Sequence, residues 1–131
     1  MLKRIDHVGV VVDDLDRVSE FFTGVLGLEL VRSLEDAERH LRARFFRSGD
    51  ADVEIIELGD PEARAQRLGS AQARIDHIAF EVDDLSGTVV ELGAGGVRMA
   101  TAEPRRAGAM STIFSEPGST MGVVLQLLER S

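Results

Sequence analysis

A twelve-residue segment, RIDHVGVVVDDL at residues 4–15, returns as RIDHIAFEVDDL at 74–85, with eight of the twelve positions identical. Two further echoes follow in the same order. GLELV (27–31) resembles GVRMA (96–100), and VEIIE (53–57) resembles LQLLE (125–129). Three ordered echoes at a nearly constant offset mean that a unit of about 60 residues has been duplicated. The modules span residues 4–58 and 74–129. Between them, at 59–73, lies a linker whose polar stretch DPEARAQRLGSAQ (60–72) carries no echo and reads as holding a short helix. The whole chain, 1–131, is expected to be one domain.

Each module carries the same pattern. Residues 5–12 are β-branched and alternate, which predicts a strand. Asp13 or Asp14 can cap the helix that follows, whose apolar positions Leu15, Val18, Phe21, Phe22 and Val25 fall at helical spacing. Gly27 ends it, and strands are predicted at 27–33, 40–47 and 52–58. The second module predicts a strand at 75–82, a helix near 85–93, and strands near 96–100, 110–116 and 121–129. The order is βαβββ, twice. One such half leaves a sheet face and edges uncovered, so the expected fold is α+β, with tandem βαβββ modules fused into one curved eight-stranded sheet.

Strand alternation assigns the faces. Val8, Val10 and Val12 share one face, as do Ile78, Phe80 and Val82, and these should pack under the helices. His7 lies on the other face with Ile5, Gly9 and Val11, and His77 with Ile75, Ala79 and Glu81. Glu54 and Gln126 occupy equivalent late positions and point away from Val53/Ile55 and Leu125/Leu127. A lone histidine in a strand is more often a satisfied structural residue than a ligand. Histidines at equivalent places in both copies lack that simple explanation. Polar groups in otherwise apolar strands must be paired, hydrated or bound to an ion. Two imidazoles, a carboxylate and an amide oxygen suit a divalent transition metal, so His7, Glu54, His77 and Gln126 are the candidate ligands.

Composition narrows the function. Fifteen basic residues against 23 acidic ones give a net charge of −8, which argues against a nucleic-acid or anionic-membrane surface. With no Cys there is no disulfide framework, thiolate site or cysteine nucleophile, and Tyr and Trp are absent too. The apolar run Val8–Val12 is too short for a membrane span or signal segment. A soluble, cytoplasmic protein is expected. Asp13-Asp14 and Asp83-Asp84 are explained by helix capping, and Gly93–Gly96 reads as a helix stop rather than a phosphate loop. Arg39, Arg42, Arg44 and Arg47 could hold an anionic substrate, although a solvated strand face accounts for them more simply.

The duplicated βαβββ pattern, opened by IDHVGVVVDDL and IDHIAFEVDDL, resembles the vicinal oxygen chelate (glyoxalase/bleomycin resistance/dioxygenase) superfamily over about residues 4–129. Within it, IDHVGVVVDDLD, GLEL, RARFFRSGDADVEIIEL and AGAMSTIFSEPGSTMGVVLQL look most like the methylmalonyl-CoA epimerases. The resemblance implies a glyoxalase-like cup, commonly dimeric, that holds one divalent metal (Co, Ni, Zn, Mn or Fe). The family's ligands, from the first and last strands of each module, fall on His7, Glu54, His77 and Gln126. The epimerases typically carry Gln where Glu54 stands and Glu where Gln126 stands, so the carboxylate has exchanged modules. Their second acid, in an EQGV-like stretch, best matches Glu38 in ERHL, with Glu35 or Asp36 as alternatives.

The chemistry so implied is removal of a proton beside a carbonyl, with the enolate stabilised by a Lewis-acid metal. Glu54 is the expected ligand and base and Glu38 its catalytic partner, while Gln126 cannot act as a base. The resemblance points to a metal-dependent isomerase or epimerase acting on a small carbonyl substrate such as methylmalonyl-CoA. The alternatives are a glyoxalase-type lyase and a non-catalytic protein that binds a small molecule such as an antibiotic.

Overall fold

The computed structural model describes residues 1–131. In chain order the elements are β1 (Arg4–Val12), α1 (Leu15–Gly24), β2 (Glu29–Asp36), β3 (Leu41–Ser48), β4 (Ala51–Leu58), α2 (Pro61–Leu68), β5 (Ala73–Glu81), α3 (Leu85–Ala94), β6 (Arg105–Ala107), β7 (Met110–Phe114) and β8 (Leu125–Arg130), with a single 3-10 turn at Pro117–Ser119 before β8. The strands form one eight-stranded sheet in the order β2-β3-β4-β1-β5-β8-β7-β6. This is the βαβββ pattern twice over. By contact density the chain divides into two compact units, His7–Asp76 and Met1–Asp6 with His77–Ser131.

In the unit His7–Asp76, β1 runs parallel to β4, which pairs antiparallel with β3, which pairs antiparallel with β2. Val10, Val12, Phe46 and Ile55 pack under Leu15, Val18 and Phe22 of α1. Val11, Ala43, Phe45 and Ile56 pack on the opposite face with Leu68 of α2. Apolar cover on both faces explains why β1 reads as a nearly unbroken aliphatic run. Phe21 and Val25 fall at helical spacing yet stand 49% and 72% exposed, so the buried stripe of α1 is narrower than the pattern predicts. The linker helix forms as expected, with Asp60 accepting from the Glu62 amide and Pro61 in the first turn.

In the other unit β5 runs parallel to β8, which pairs with β7, which pairs with β6. Val82, Leu85, Ile113 and Leu127 form its core, with Phe80, Val89, Leu92 and Met99 against them. Asp6, only 8% exposed, accepts from Arg130 at 2.8 Å and from Arg4 at 3.1 Å, and both guanidiniums also face Glu81.

The helix starts repeat the same device. Asp14 accepts from the Arg17 amide and Asp84 from the Gly87 amide. A second carboxylate, from the end of the last strand of each module, reaches the first helical residue: Glu57 takes the Leu15 amide at 2.8 Å and Glu129 the Leu85 amide at 2.7 Å. Two negative groups at a helix N-terminus satisfy orphan donors and favour the helix dipole.

Two strands start four or more residues later than expected, while the other boundaries agree to within about three. Residues 96–100 form no strand; Met99 makes an isolated bridge to Ser115, and the second strand of the module is Arg105–Ala107. Gly96 at φ 94 turns the chain, and only two backbone bonds, Ala100 N to Phe114 O and Glu116 N to Arg98 O, hold it to the sheet. The last strand begins at Leu125 rather than 121, because Met121 and Gly122 lie at φ 56 and 87, outside extended backbone.

Candidate metal centre

Parallel pairing of β1 with β4 sets Gly9 opposite Glu54, and pairing of β5 with β8 sets Ala79 opposite Gln126. His7 and His77 stand two residues earlier on the same strands, and hence on the same faces as Gly9 and Ala79. A small residue two places from each imidazole leaves room beside it. Across the next strand pair, Phe45 lies opposite Glu54 and Phe114 opposite Gln126. Each ring meets the histidine of its own module edge-on: His7 to Phe45 at 5.6 Å and 82°, His77 to Phe114 at 5.4 Å and 85°. The duplication thus yields two copies of one arrangement, a histidine, an oxygen-bearing side chain and a phenyl wall.

All four polar side chains are withdrawn from solvent, with His77 at 4%, His7 at 5%, Gln126 at 7% and Glu54 at 9% exposure. His7 Nε2 lies 3.4 Å from Glu54 Oε1. Gln126 donates from Nε2 to Thr112 Oγ1 at 2.7 Å. A divalent first-row ion bound at about 2.1 Å holds its donors roughly 3–4 Å apart, the spacing of His7 Nε2 and Glu54 Oε1. Two imidazole nitrogens, one carboxylate and one amide oxygen are a suitable donor set for such an ion, and the single carboxylate leaves a net positive charge for an oxygen-bearing ligand.

Glu38 does not join this cluster. It lies exposed in the turn between β2 and β3. Leu41, the first strand residue after this turn, pairs with Leu58 four positions along from Phe45 with Glu54, roughly 13 Å at the rise of a strand. Asp36 is engaged by the backbone N–H and Nε of Arg39 at 3.0 and 2.9 Å, and Glu35 pairs in register with Arg42.

The basic run resolves into ion pairs. Arg39 holds Asp36, Arg42 holds Glu57 at 3.0 Å, Arg44 holds Asp16 at 2.8 Å, and Arg47 holds Asp52. The hydrogen bond to Glu57 raises the Arg42 pKa above its ordinary value. Arg32, which the sequence reading passed over, differs: its guanidinium carbon lies 4.0 Å above the Phe45 ring, on the strand row Arg32–Phe45–Glu54. Phe45, Phe114 and Thr112 were also passed over. Their signal was present as a weak echo, since ARF at 43–45 and TIF at 112–114 share an offset of 69.

Comparison with known proteins agrees with this geometry. The family model described as the Glyoxalase/Bleomycin resistance protein/Dioxygenase superfamily matches residues 4–122. The chain is 29% identical over 129 residues to the mitochondrial methylmalonyl-CoA epimerase of Bos taurus, covering 96% of this chain and 74% of that protein. It is 31% identical over 129 residues to a protein of Vibrio parahaemolyticus named probable lactoylglutathione lyase, covering 96% and 90%. Among solved structures it is similar to the methylmalonyl-CoA epimerase of Mycobacterium tuberculosis, with a TM-score of 0.88, 27% identity, and coverage of 99% of this chain and 89% of that one. A methylmalonyl-CoA epimerase solved with methylmalonyl-CoA and ammonium gives 0.85 at 26% identity, covering 100% and 96%.

Proposed function

The chain belongs to the Glyoxalase/Bleomycin resistance protein/Dioxygenase superfamily, and from that membership we propose that it is a metal-dependent isomerase or epimerase of a small carbonyl compound such as methylmalonyl-CoA. The observation that carries the proposal is a buried histidine with a buried oxygen-bearing side chain on the neighbouring strand, His7 with Glu54 and His77 with Gln126, built alike by both copies of the repeat. His7, Glu54, His77 and Gln126 would hold a divalent ion. Such an ion supplies Lewis acidity where negative charge develops on the substrate oxygen.

The protein's own residues do the rest. His7 and His77, walled by Phe45 and Phe114, are held in fixed ring orientations. Their burial excludes bulk water and strengthens each electrostatic contact. Glu54 is the base that takes the proton from the carbon beside the carbonyl, at a carboxylate oxygen. Inversion at that carbon needs a second group on the opposite face, and Glu38, exposed in the β2–β3 turn, is the acid we assign to it on the family resemblance. Arg32, a cation stacked on Phe45 in the row that includes Glu54, suits a substrate that carries a carboxylate or phosphate.

A second reading is favoured by one observation. Glu54 is the one carboxylate among the four candidate ligands, and a single base suffices for a proton shuttle between adjacent carbons, as in a glyoxalase-type lyase. The relatives named as lactoylglutathione lyases support it.

The test is proton exchange. Metal-loaded protein incubated with methylmalonyl-CoA in deuterium oxide should place deuterium at the α-carbon, and the His7→Ala variant should not. Conversion of the glutathione–methylglyoxal adduct instead would establish the lyase. Tight metal binding with neither reaction would leave a binding protein.

A further inference from the structure

Thr112 lies on β7, two residues before the phenyl wall Phe114, and is 3% exposed. Its Oγ1 donates to the Leu127 carbonyl oxygen at 3.0 Å. A hydroxyl has one proton, so with that proton committed the oxygen can only accept. The donor it accepts from is Nε2 of Gln126, at 2.7 Å. The two ends of a side-chain amide have nearly the same shape and are told apart only by their partners. Here the partner admits one orientation, nitrogen toward Thr112 and oxygen as the free end. The flipped amide would set two lone pairs against each other inside the protein, at a cost of about 1–3 kcal/mol.

The first module provides an internal control. Two residues before Phe45 stands Ala43, which is 1% exposed and belongs to an apolar cluster. The module with a carboxylate therefore carries a methyl group at this place, and the module with an amide carries a hydroxyl. A carboxylate has two equivalent oxygens and needs no selection between its ends. An amide does, because only its oxygen can bind a cation.

We infer that Thr112 is a positioning residue for the metal centre, a role that rests on the metal reading above. By holding the Gln126 nitrogen it presents the Gln126 oxygen as a fourth donor on the face that carries His77. Gln126 is then an oriented neutral ligand, and the donor set keeps a single negative charge.

The experiment uses the full chain titrated with Co²⁺ alone, with affinity read by competition against a chromophoric chelator. Thr112→Val keeps the shape and removes the acceptor; it should weaken Co²⁺ binding by about 10–100-fold. Thr112→Ser restores the hydroxyl and should bind within about threefold of the parent. A merely structural role would lower the melting temperature of Thr112→Val and leave Co²⁺ affinity unchanged, which would overturn the assignment. In the metal-free parent, the Gln126 side-chain NH₂ should exchange with solvent more slowly than that of a free glutamine, as read by NMR. Exchange at the free rate would equally overturn it, even if Thr112→Val does not fold. A parent that takes up no Co²⁺ removes the metal reading and this inference together. A parent that binds, beside a Thr112→Val variant that binds equally well, removes only the role of Thr112.

Discussion

The Glu57 carboxylate accepts the backbone N–H of Leu15 at 2.8 Å, which ties the end of β4 to the first residue of α1. The same carboxylate holds Arg42 at 3.0 Å. Glu57→Ala therefore removes a cap and strands a cation, and it should cost about 1–2 kcal/mol in urea denaturation. Glu129→Ala removes the matching cap at Leu85, and about 0.5–1 kcal/mol is expected. Equal losses at the two sites would refute a contribution from Arg42.

His7 Nε2 lies 3.4 Å from Glu54 Oε1, and both side chains are buried. His7→Ala should bring divalent metal from about one equivalent per chain to little, since losing one of four donors weakens a site well beyond the 10–100-fold expected for an outer partner. Elemental analysis after dialysis is the measurement. Full retention of metal in His7→Ala and in His77→Ala would end the four-donor scheme.

Arg32 stacks on Phe45 and spends no carboxylate of its own on that contact. Arg32→Gln should raise KM for an anionic substrate by roughly tenfold, about 1.4 kcal/mol, with kcat nearly unchanged. Stability should move by less than about 0.5 kcal/mol, as for most surface substitutions. A fall in kcat at constant KM would place Arg32 in the chemical step instead.

Arg98 binds Glu116 through two nitrogens, both at 3.1 Å, and this hydrogen bond first, then the charge itself, holds the Glu116 carboxyl below its ordinary pKa of 4.5. A lowered folded-state value means the pair stabilises above the unfolded carboxylate range, and the benefit disappears as pH falls through the lowered value. The pair is solvent-exposed, so the effect should be slight and salt-sensitive. Melting curves of the parent and Glu116→Gln should differ less at pH 3 than at pH 7 in low salt. A difference that grows toward acid would contradict the sign.

The repeat made the fold readable. Because RIDH, the capping aspartates and the late strand pairs occur twice, element order, the helix caps and the faces of His7, Glu54, His77 and Gln126 could all be assigned from one chain. Periodicity failed where conformation is set by backbone rather than by side-chain pattern. VRMA looks like GLELV, yet it follows Gly96 and meets the sheet at one bridge, and VVLQ alternates only after the left-handed Met121 and Gly122. Phe45, Phe114, Thr112 and Arg32 escaped notice for another reason. Their meaning lies in cross-strand register, which a linear pattern does not encode. Glu38 rests on different ground: a motif match alone proposes it, and it stands in an exposed turn where neither strand alternation nor register bears on its role.

The boundary between the two compact units falls inside β1, so Met1–Asp6 belongs with His77–Ser131. During synthesis the first six residues leave the ribosome long before the segment they pack with. His7–Asp76 is continuous and can condense as soon as it has emerged. The other unit must wait for Arg130, whose guanidinium closes on Asp6 at 2.8 Å. The opening strand is thus held in reserve, its leading third a loose end until the last strand arrives.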